Sequence, residues 1–372
     1  MEVQAALFRA DADTLSIETL DLAEPLPEEV LVRLIATGVC HTDQKVRETP
    51  RVPRPIVLGH EGAGVVERVG SQVTTLQPGD HVVLSFDYCG RCRACRENRP
   101  AHCWEGSKRH FGGHRPDGSV TLRQGDTPVH GNFFGQSSFA TYALCYESNA
   151  VKVRKDAPLE LLGPLGCGVQ TGAGAVLNTF DLQPGQTIAV FGSGAVGLSA
   201  IMAARLAGAE QIIAVDVVED RLRLATELGA TNTVNGRNAD VPSAIKALLG
   251  PDRNGVDYAL DTTCLPPVLL QAIDALGTRG TLGFVSNTST GEPLPLPLGK
   301  MMAGGKQIRA VIQGDSAPQT FIPMLLDFYM QGRLPFDRMV KFYEFSEINQ
   351  AFEDSHHGTT IKPIIRIGAP HT

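Results

Sequence analysis

The sequence predicts an α/β protein that combines a doubly wound parallel sheet with a second, mainly β domain. Three observations support this: a β-type pattern before Gly168, alternating strand and helix patterns after it, and a glycine-rich turn between one such strand and helix. A chain of 372 residues is also long for a single core. We therefore expect two domains.

The first part of the chain, to about residue 153, contains short apolar runs that Gly and Pro interrupt. Examples are residues 30–34, 63–67 and 81–84, with few helical patterns between them. The stretch 104–136 is rich in Gly, His and polar residues, and we expect a long loop there that covers a site.

After Gly168, apolar strands alternate with amphipathic helical stretches such as residues 221–228, which indicates a parallel sheet. We predict strands at 187–191, 211–215, 256–260, 281–285 and 308–312, and about six in all, the usual number in a dinucleotide-binding sheet. A last strand is predicted at 361–367. We expect residues 1–168 and 314–372 to form the mainly β domain and 169–313 the parallel-sheet domain.

The charge balance gives no reason to expect a nucleic acid or an anionic membrane as partner, since 33 basic and 40 acidic residues leave a formal net charge of −7. A small-molecule partner is favoured instead. The sequence begins without a signal-peptide pattern and contains no apolar run of roughly 18 residues, so we expect a cytoplasmic protein.

Four cysteines lie close together in the sequence, three of them in Cys-Gly-Arg-Cys-Arg-Ala-Cys and the fourth a few residues later: Cys89, Cys92, Cys95 and Cys103. Four thiolates complete a tetrahedral zinc shell without an open position, so the spacing predicts a structural zinc site. The alternative, buried or disulfide-bonded cysteines, is disfavoured because three thiols within seven residues rarely meet disulfide geometry.

Four more potential ligands are scattered along the chain, namely Cys40, His60, Glu61 and Cys167. Each by itself is more often a packed core residue or a surface group. Two thiolates and one imidazole, however, supply the three protein ligands that a catalytic zinc needs and leave one position open for substrate.

A Gly-x-Gly-x-x-Gly pattern follows one predicted strand and opens a helix, where amide groups bind a pyrophosphate. Its expected cofactor contacts are Gly192, Gly194, Ala195, Val196 and Gly197. Asp216 ends the next predicted strand, close to the offset of an acid that binds the adenosine ribose. Because that acid repels a 2′-phosphate and Val217 follows it, NAD is favoured over NADP, with Arg221 either beside the ribose or solvated.

The run Gly59-His60-Glu61-Gly62-Ala63-Gly64, continuing to Gly70 and Val73, resembles the zinc-site signature of the medium-chain zinc-containing alcohol dehydrogenases. The order of motifs from Cys40 to Gly197 also follows that family over the whole chain. The resemblance implies a partly open-barrel, GroES-like catalytic domain, a Rossmann cofactor domain, two zinc ions per subunit and NAD. It implies oxidation of an alcohol at zinc with hydride transfer to the nicotinamide.

The resemblance also implies individual roles. Cys40, His60 and Cys167 would ligate the catalytic zinc, Glu61 would approach it during exchange, and Thr42 would take the alcohol's proton. Asp43 would support the histidine ligand, although Thr42 and Asp43 also suit a helix cap.

Three further positions resemble cofactor contacts: His41 and Lys362 at the pyrophosphate, and Thr171 beside the nicotinamide. Lys45 departs from relatives that carry a histidine at the end of the proton relay, which leaves the route from Thr42 to water open.

The segments around Cys40 and Phe86 look most like the bacterial benzyl or aryl alcohol dehydrogenases. Phe133 or Phe134 would then line a pocket for an aromatic or allylic alcohol, or simply pack in the core. A homodimer or homotetramer is expected. The alternatives are a glutathione-dependent formaldehyde dehydrogenase, a zinc-free quinone reductase, and a non-catalytic NAD-binding protein with a vestigial site.

Overall fold

The computed structural model describes residues 1–48, 52–286 and 293–368, and the chain forms two compact units. The first contains Met1–Cys167, Ala317–Met330 and the chain from Phe336 onward. The second contains Gly168–Ser316 and Gln331–Pro335. Among the described residues, no helix is long and apolar enough to span a membrane.

The first unit begins with short strands and three short helices. In chain order they are β1 (Glu2–Phe8), β2 (Ser16–Leu22), β3 (Glu29–Gly38), α1 (His41–Glu48), β4 (Ile56–Val57), β5 (Gly62–Val69), β6 (His81–Leu84), α2 (Arg93–Arg96), α3 (Gly106–Phe111), β7 (Leu122–Gln124), β8 (Thr127–Val129), β9 (Tyr142–Tyr146) and β10 (Ala150–Val153).

The second unit alternates helices and strands, and the chain then returns to the first unit. The elements of the second unit are α4 (Gly168–Gly174), β11 (Thr187–Phe191), α5 (Ala195–Ala207), β12 (Gln211–Asp216), α6 (Glu219–Leu228), β13 (Asn232–Asn235), α7 (Val241–Leu249), β14 (Val256–Asp261), α8 (Pro266–Ala275), β15 (Leu276–Phe284), α9 (Leu298–Gly304) and β16 (Gln307–Ala310). The returning elements are α10 (Pro318–Met330), β17 (Val340–Glu344), α11 (Ile348–His356) and β18 (Lys362–Arg366).

Two sheets build the first unit. A five-stranded sheet has the order β4-β1-β2-β7-β8, and a second sheet has the order β10-β6-β5-β3-β18-β17, with β9 also paired to β3. Strand β18 runs antiparallel to β3, with Ile364 opposite Gly38. This pairing brings the C-terminal strand beside the segment that follows β3.

The second unit contains one six-stranded parallel sheet in the order β13-β12-β11-β14-β15-β16, which confirms the predicted doubly wound sheet. All five residues of the central strand β11 are buried, as expected for a strand covered on both faces. The apolar runs located the strands well, although β15 begins at Leu276, five residues before the predicted start at 281.

The long loop expected at 104–136 is wrong as a description of this stretch. It contains α3, β7, β8 and a 3₁₀ turn at Phe133–Gly135. These elements are three to six residues long, too short to establish a helical or strand period in the sequence. β7 joins this stretch to the edge of the five-stranded sheet through β2.

Candidate active site

The four clustered cysteines converge around one point. Their ligand atoms all lie within 4.8 Å of one another: Cys89, Cys92, Cys95 and Cys103. The Cys92 and Cys95 sulfurs are 3.5 Å apart, and the Cys89 and Cys95 sulfurs 3.9 Å apart. All eight cysteines of the chain lie in the described ranges and none forms a disulfide, so the disulfide alternative is wrong.

This arrangement suits a closed zinc shell. Bonds of about 2.3 Å place the sulfurs of a tetrahedral site roughly 3.8 Å apart, close to the observed separations. Backbone hydrogen bonds at Trp104 and Cys95 lower the pKa of Cys92 to about 6, whereas burial raises the pKa of Cys95 and of Cys103, so a metal that binds here must displace protons from those two thiols. The cluster is therefore a candidate structural zinc site.

A second cluster contains Cys40, His60, Glu61 and Cys167, whose ligand atoms also lie within 4.8 Å of one another. Cys40 stands between β3 and α1, His60 and Glu61 directly precede β5, and Cys167 follows a 3₁₀ turn. The pairing of β3 with β5 brings these segments together. All four residues belong to the first unit.

Asp43 fixes the orientation of this cluster. Its Oδ1 lies 3.0 Å from His60 Nδ1 and accepts a hydrogen bond from the Gly59 amide at 3.1 Å. Its Oδ2 accepts one from the Cys40 amide, also at 3.1 Å. With His60 Nδ1 held by a carboxylate, Nε2 is the nitrogen left to bind a metal.

His60 Nε2 is buried and has no hydrogen-bond partner in the described part of the chain. Such an orphaned nitrogen is costly unless a ligand uses it. The Cys40 and Cys167 sulfurs lie 4.0 Å apart, again close to the edge of a tetrahedral zinc shell. The donor set therefore fits a zinc ion held by Cys40, His60 and Cys167.

In the metal-free cluster, the ligand side chains shift one another's pKa values. The hydrogen bond between the two thiols lowers the pKa of Cys40 and raises that of Cys167. Burial lowers the pKa of His60, but the Asp43 carboxylate and the Cys40 thiolate outweigh it and raise that pKa. A metal that binds here must displace these protons.

Glu61 forms a buried ion pair with Lys362, the first residue of β18. Lys362 Nζ lies 2.9 Å and 3.0 Å from the two carboxylate oxygens and donates to the Val39 carbonyl at 3.1 Å. A Cβ at Gly38 would stand 2.0 Å from Glu61 Oε2, so only glycine leaves room for this carboxylate. The sequence placed Lys362 at the cofactor pyrophosphate, and that role stays a prediction.

An aromatic stack covers His60. The Phe134 ring stacks on the His60 imidazole, with ring centroids 4.6 Å apart and an angle of 24° between the planes. The His110 ring in turn stacks on Phe134 at 4.5 Å and 6°. Phe133 meets His60 edge-on at 5.6 Å. Both phenylalanines are buried, which agrees with the core-packing alternative. Burial lowers the pKa of His110 to about 4, so its ring is neutral near pH 7.

Sequence reasoning missed Gln136, which ties the segments around His60 together. Its Nε2 donates to the His60 and Ser85 carbonyls at 3.0 Å each, and its Oε1 accepts from the Gly62 amide at 3.1 Å. A lone glutamine in a polar run gives no signal of such a role in a single sequence.

The remaining predicted residues of the first unit lie on α1. His41 is its first residue and exposed, and Thr42 and Lys45 are partly exposed. Thr42 stands between Cys40 and Asp43 in the sequence. Its role as a proton acceptor stays a prediction.

In the second unit, the glycine pattern forms the turn between β11 and α5. Gly192 has φ of 93°, and a Cβ at Gly197 would lie 1.8 Å from the Gly192 carbonyl oxygen. A Cβ at Gly194, in contrast, would meet no atom of the described residues within 4 Å. The helix N-terminus is thus open beside Gly194, as close approach of a pyrophosphate requires.

Asp216 ends β12 beside this turn. Its Oδ2 accepts from the Ser193 amide at 2.6 Å, and its Oδ1 accepts from the amides of Val217 and Val218 at 2.7 Å and 2.9 Å. Arg221 lies in the first turn of α6, and Thr171 is nearly buried in α4. These positions suit a dinucleotide but do not identify one.

A zinc-binding dehydrogenase is the class of protein that this fold and these two clusters define. The family description "Alcohol dehydrogenase GroES-like domain" matches residues 26–155, and "Zinc-binding dehydrogenase" matches residues 195–330. The chain belongs to the zinc-containing medium-chain alcohol dehydrogenase family and is a zinc-dependent alcohol dehydrogenase.

Individual relatives agree over nearly the whole chain. A geraniol dehydrogenase of Castellaniella defragrans is 45% identical, with 98% of each chain covered. The crystal structure of benzyl alcohol dehydrogenase from Acinetobacter calcoaceticus has a TM-score of 0.95 at 48% identity and covers 99% of this chain and 100% of its own. An alcohol dehydrogenase zinc-binding domain protein from Burkholderia ambifaria has a TM-score of 0.96 at 53% identity, with both chains fully covered.

Proposed function

We propose that this enzyme oxidises a primary alcohol, aromatic or allylic, to its aldehyde and transfers hydride to NAD. The observation that best supports a catalytic metal is the buried, unpartnered His60 Nε2 beside the Cys40 and Cys167 sulfurs. Residues 1–168 and 314–372 would act as the catalytic domain, and 169–313 as the cofactor domain.

Residues of the first unit have separate roles at the metal site. Cys40, His60 and Cys167 hold the zinc, which when bound acts as a Lewis acid and makes a hydroxyl group easier to ionise. Asp43 keeps His60 in the tautomer that presents Nε2. Thr42 Oγ1 would accept the proton that leaves the alcohol and release its own hydroxyl proton toward water. Glu61 stays paired with Lys362 beside the ligands.

NAD is supported over NADP by Asp216. Its carboxylate lies at the end of β12, where the ribose of a dinucleotide binds in this type of sheet. A 2′-phosphate there would meet a negative charge, and the exposed residues that follow are Val217 and Val218 rather than arginines. Because this argument uses one carboxylate, Asp216→Ala tests it directly.

We expect Asp216→Ala to lower kcat/KM for NAD by about tenfold more than kcat/KM for NADP. This is an amount typical of a lost hydrogen bond between charged or strongly polar groups. Asp220→Ala is the matched control, because Asp220 is an exposed acid on α6 that pairs with Arg223. An unchanged ratio of kcat/KM for NAD and NADP in Asp216→Ala would contradict the assignment.

The substrate class rests on chemistry that two relatives share. Geraniol is an allylic alcohol and benzyl alcohol an aromatic one, and both have the carbinol carbon attached to an unsaturated carbon. Conjugation of that kind stabilises the partial positive charge that develops on carbon as hydride leaves. The same chemistry includes cinnamyl alcohol, which combines both features.

The test is a comparison of kcat/KM for benzyl, cinnamyl, geranyl and short aliphatic alcohols, each with NAD and with NADP. We expect the three conjugated alcohols with NAD to give the highest values. A higher value for formaldehyde with glutathione would favour the glutathione-dependent alternative. Absence of turnover with every alcohol would favour a non-catalytic protein.

We also propose a homodimer or homotetramer in the cytoplasm, on the family resemblance alone. Light scattering coupled to size-exclusion chromatography measures the mass of the assembly, and a monomer would contradict the proposal.

A further inference from the structure

The imidazole of His60 needs more than one hydrogen bond to hold its plane. Asp43 contacts it at Nδ1 only, and hydrogen bonds to carboxylates tolerate a broad range of angles. The torsion that turns a histidine ring about its Cβ–Cγ bond is itself broad rather than sharply staggered. A metal ligand therefore requires a second restraint on the ring.

The stacked rings supply such a restraint. Phe134 lies against one face of the His60 ring at 4.6 Å, and Phe133 stands edge-on at 81°. Any rotation of the imidazole out of its plane would drive it into the Phe134 ring. The His110 ring stacks on Phe134 at 4.5 Å, and its Nε2 lies 2.8 Å from the Asp87 carbonyl oxygen.

The backbone around Phe134 is strained and anchored at the same time. Phe134 has φ of 53°, and Asn132 and Ser137 also have positive φ, which is unfavourable for residues other than glycine. Asn149 Nδ2 donates to the Phe134 and Gly135 carbonyls at 3.3 Å and 3.2 Å, and Ser137 Oγ donates to the Val57 carbonyl at 2.6 Å. Strain of this kind persists only where surrounding contacts enforce it, and it often marks a functional segment.

We propose that Phe134 is a positioning residue for the zinc ligand His60, and that the stack of His110 on Phe134 fixes the plane of the His60 imidazole so that Nε2 stays directed at the metal position. The inference rests on the assignment of His60 as a zinc ligand. The contact that carries this role is the one between the Phe134 ring and the imidazole. Phe134 acts through the imidazole.

The test compares Phe134→Leu with Phe336→Leu. Phe336 is also a buried phenylalanine of the first unit. Its ring lies 4.7 Å from that of Tyr329 at a tilt of 47°, and no ring contact joins it to His60 or Phe134 in the described part of the chain. Both variants lose one buried ring and keep an apolar side chain, so both should lose similar stability. Only Phe134→Leu should change how the enzyme holds its catalytic zinc.

The measurement is the rate at which zinc passes to a coloured chelator. His60→Ala identifies the catalytic phase, since that phase should be missing from it. We expect Phe134→Leu to accelerate this phase at least about tenfold, as loss of outer-shell support to a ligand commonly does, and Phe336→Leu to leave it unchanged. If Phe134→Leu does not fold, His110→Leu replaces it in the test. We expect His110→Leu to accelerate the same phase by a smaller factor.

The outcomes separate the two assignments. A catalytic phase as slow as in wild type, in folded Phe134→Leu or in its replacement, overturns the positioning role and leaves the zinc site standing. Equal acceleration in Phe336→Leu also overturns it, because the effect would then follow lost stability. If wild type and His60→Ala release zinc in the same phases, the assignment of His60 as a zinc ligand is refuted.

Discussion

Replacing His110 with phenylalanine should make the protein less sensitive to mild acid. His110 is a partly hidden histidine on α3 whose ring is packed against Phe134 and Phe86. Burial lowers its pKa to about 4, although the hydrogen bond to the Asp87 backbone acts in the opposite direction, against a value of 6.5 in an unfolded chain. Phenylalanine keeps a planar ring in the stack but cannot take up a proton.

The sign follows from proton uptake on unfolding. Between pH 6.5 and 4 the unfolded chain protonates this histidine and the folded chain does not, so falling pH favours unfolding. Above pH 6.5 neither state is protonated and the effect disappears. From these two pKa values the loss is roughly 2 kcal/mol at about pH 5 and roughly 3 kcal/mol near pH 4 and below.

The assay is urea unfolding of wild type and His110→Phe at about pH 7.5 and about pH 5, with zinc content checked at both. The stability lost between the two pH values should be about 2 kcal/mol smaller in His110→Phe than in wild type. His357→Phe is the control, because His357 is an exposed histidine on the surface and should behave as wild type. Equal losses in His110→Phe and wild type would refute the reasoning.

Three further changes test the metal clusters. His60→Ala should leave a folded chain that keeps the zinc of the four-cysteine cluster, loses the catalytic zinc and has no turnover. Circular dichroism checks the fold and metal analysis counts the zinc ions. Retention of both metals would contradict the ligand assignment. Cys103→Ser should lower Tm by several degrees and remove the zinc of the four-cysteine cluster. An unchanged melting curve would count against a structural role for this cluster. Asp43→Asn should keep the fold but weaken zinc at the catalytic cluster by about 10- to 100-fold in chelator competition, because an amide cannot replace both carboxylate oxygens as acceptors; wild-type affinity would rule this out.

Features that depend on local sequence were predictable. Cys89, Cys92 and Cys95 lie within seven residues, so their spacing alone limits where their sulfurs can be. The parallel sheet was predictable for a similar reason, since β11 and β12 are buried apolar runs bounded by turn residues. Short elements such as β7 and β8 were not, because three residues establish no period.

Contacts between distant segments could not be predicted from one sequence. The stack on His60 joins α3 to the 3₁₀ turn at Phe133–Gly135, and the sequence left Phe133 and Phe134 open between pocket and core. The positive φ of Phe134 runs against the preference of its residue type, so local rules point away from the observed backbone. Only the packed structure reveals why that conformation is kept.

Charge balance explains the pairing of Glu61 with Lys362, residues 301 positions apart in the chain. A zinc ion and two thiolates are together neutral, so a third anion buried beside them would be left uncompensated in a medium that penalises net charge. The Lys362 ammonium supplies the missing charge: Glu61, Cys40 and Cys167 together overcome its burial and raise its pKa. Burial nonetheless raises the pKa of Glu61, and the charge of Lys362 offsets that rise only in part. A lysine at the start of the last strand has no such meaning until β18 pairs with β3 and brings it to the cluster.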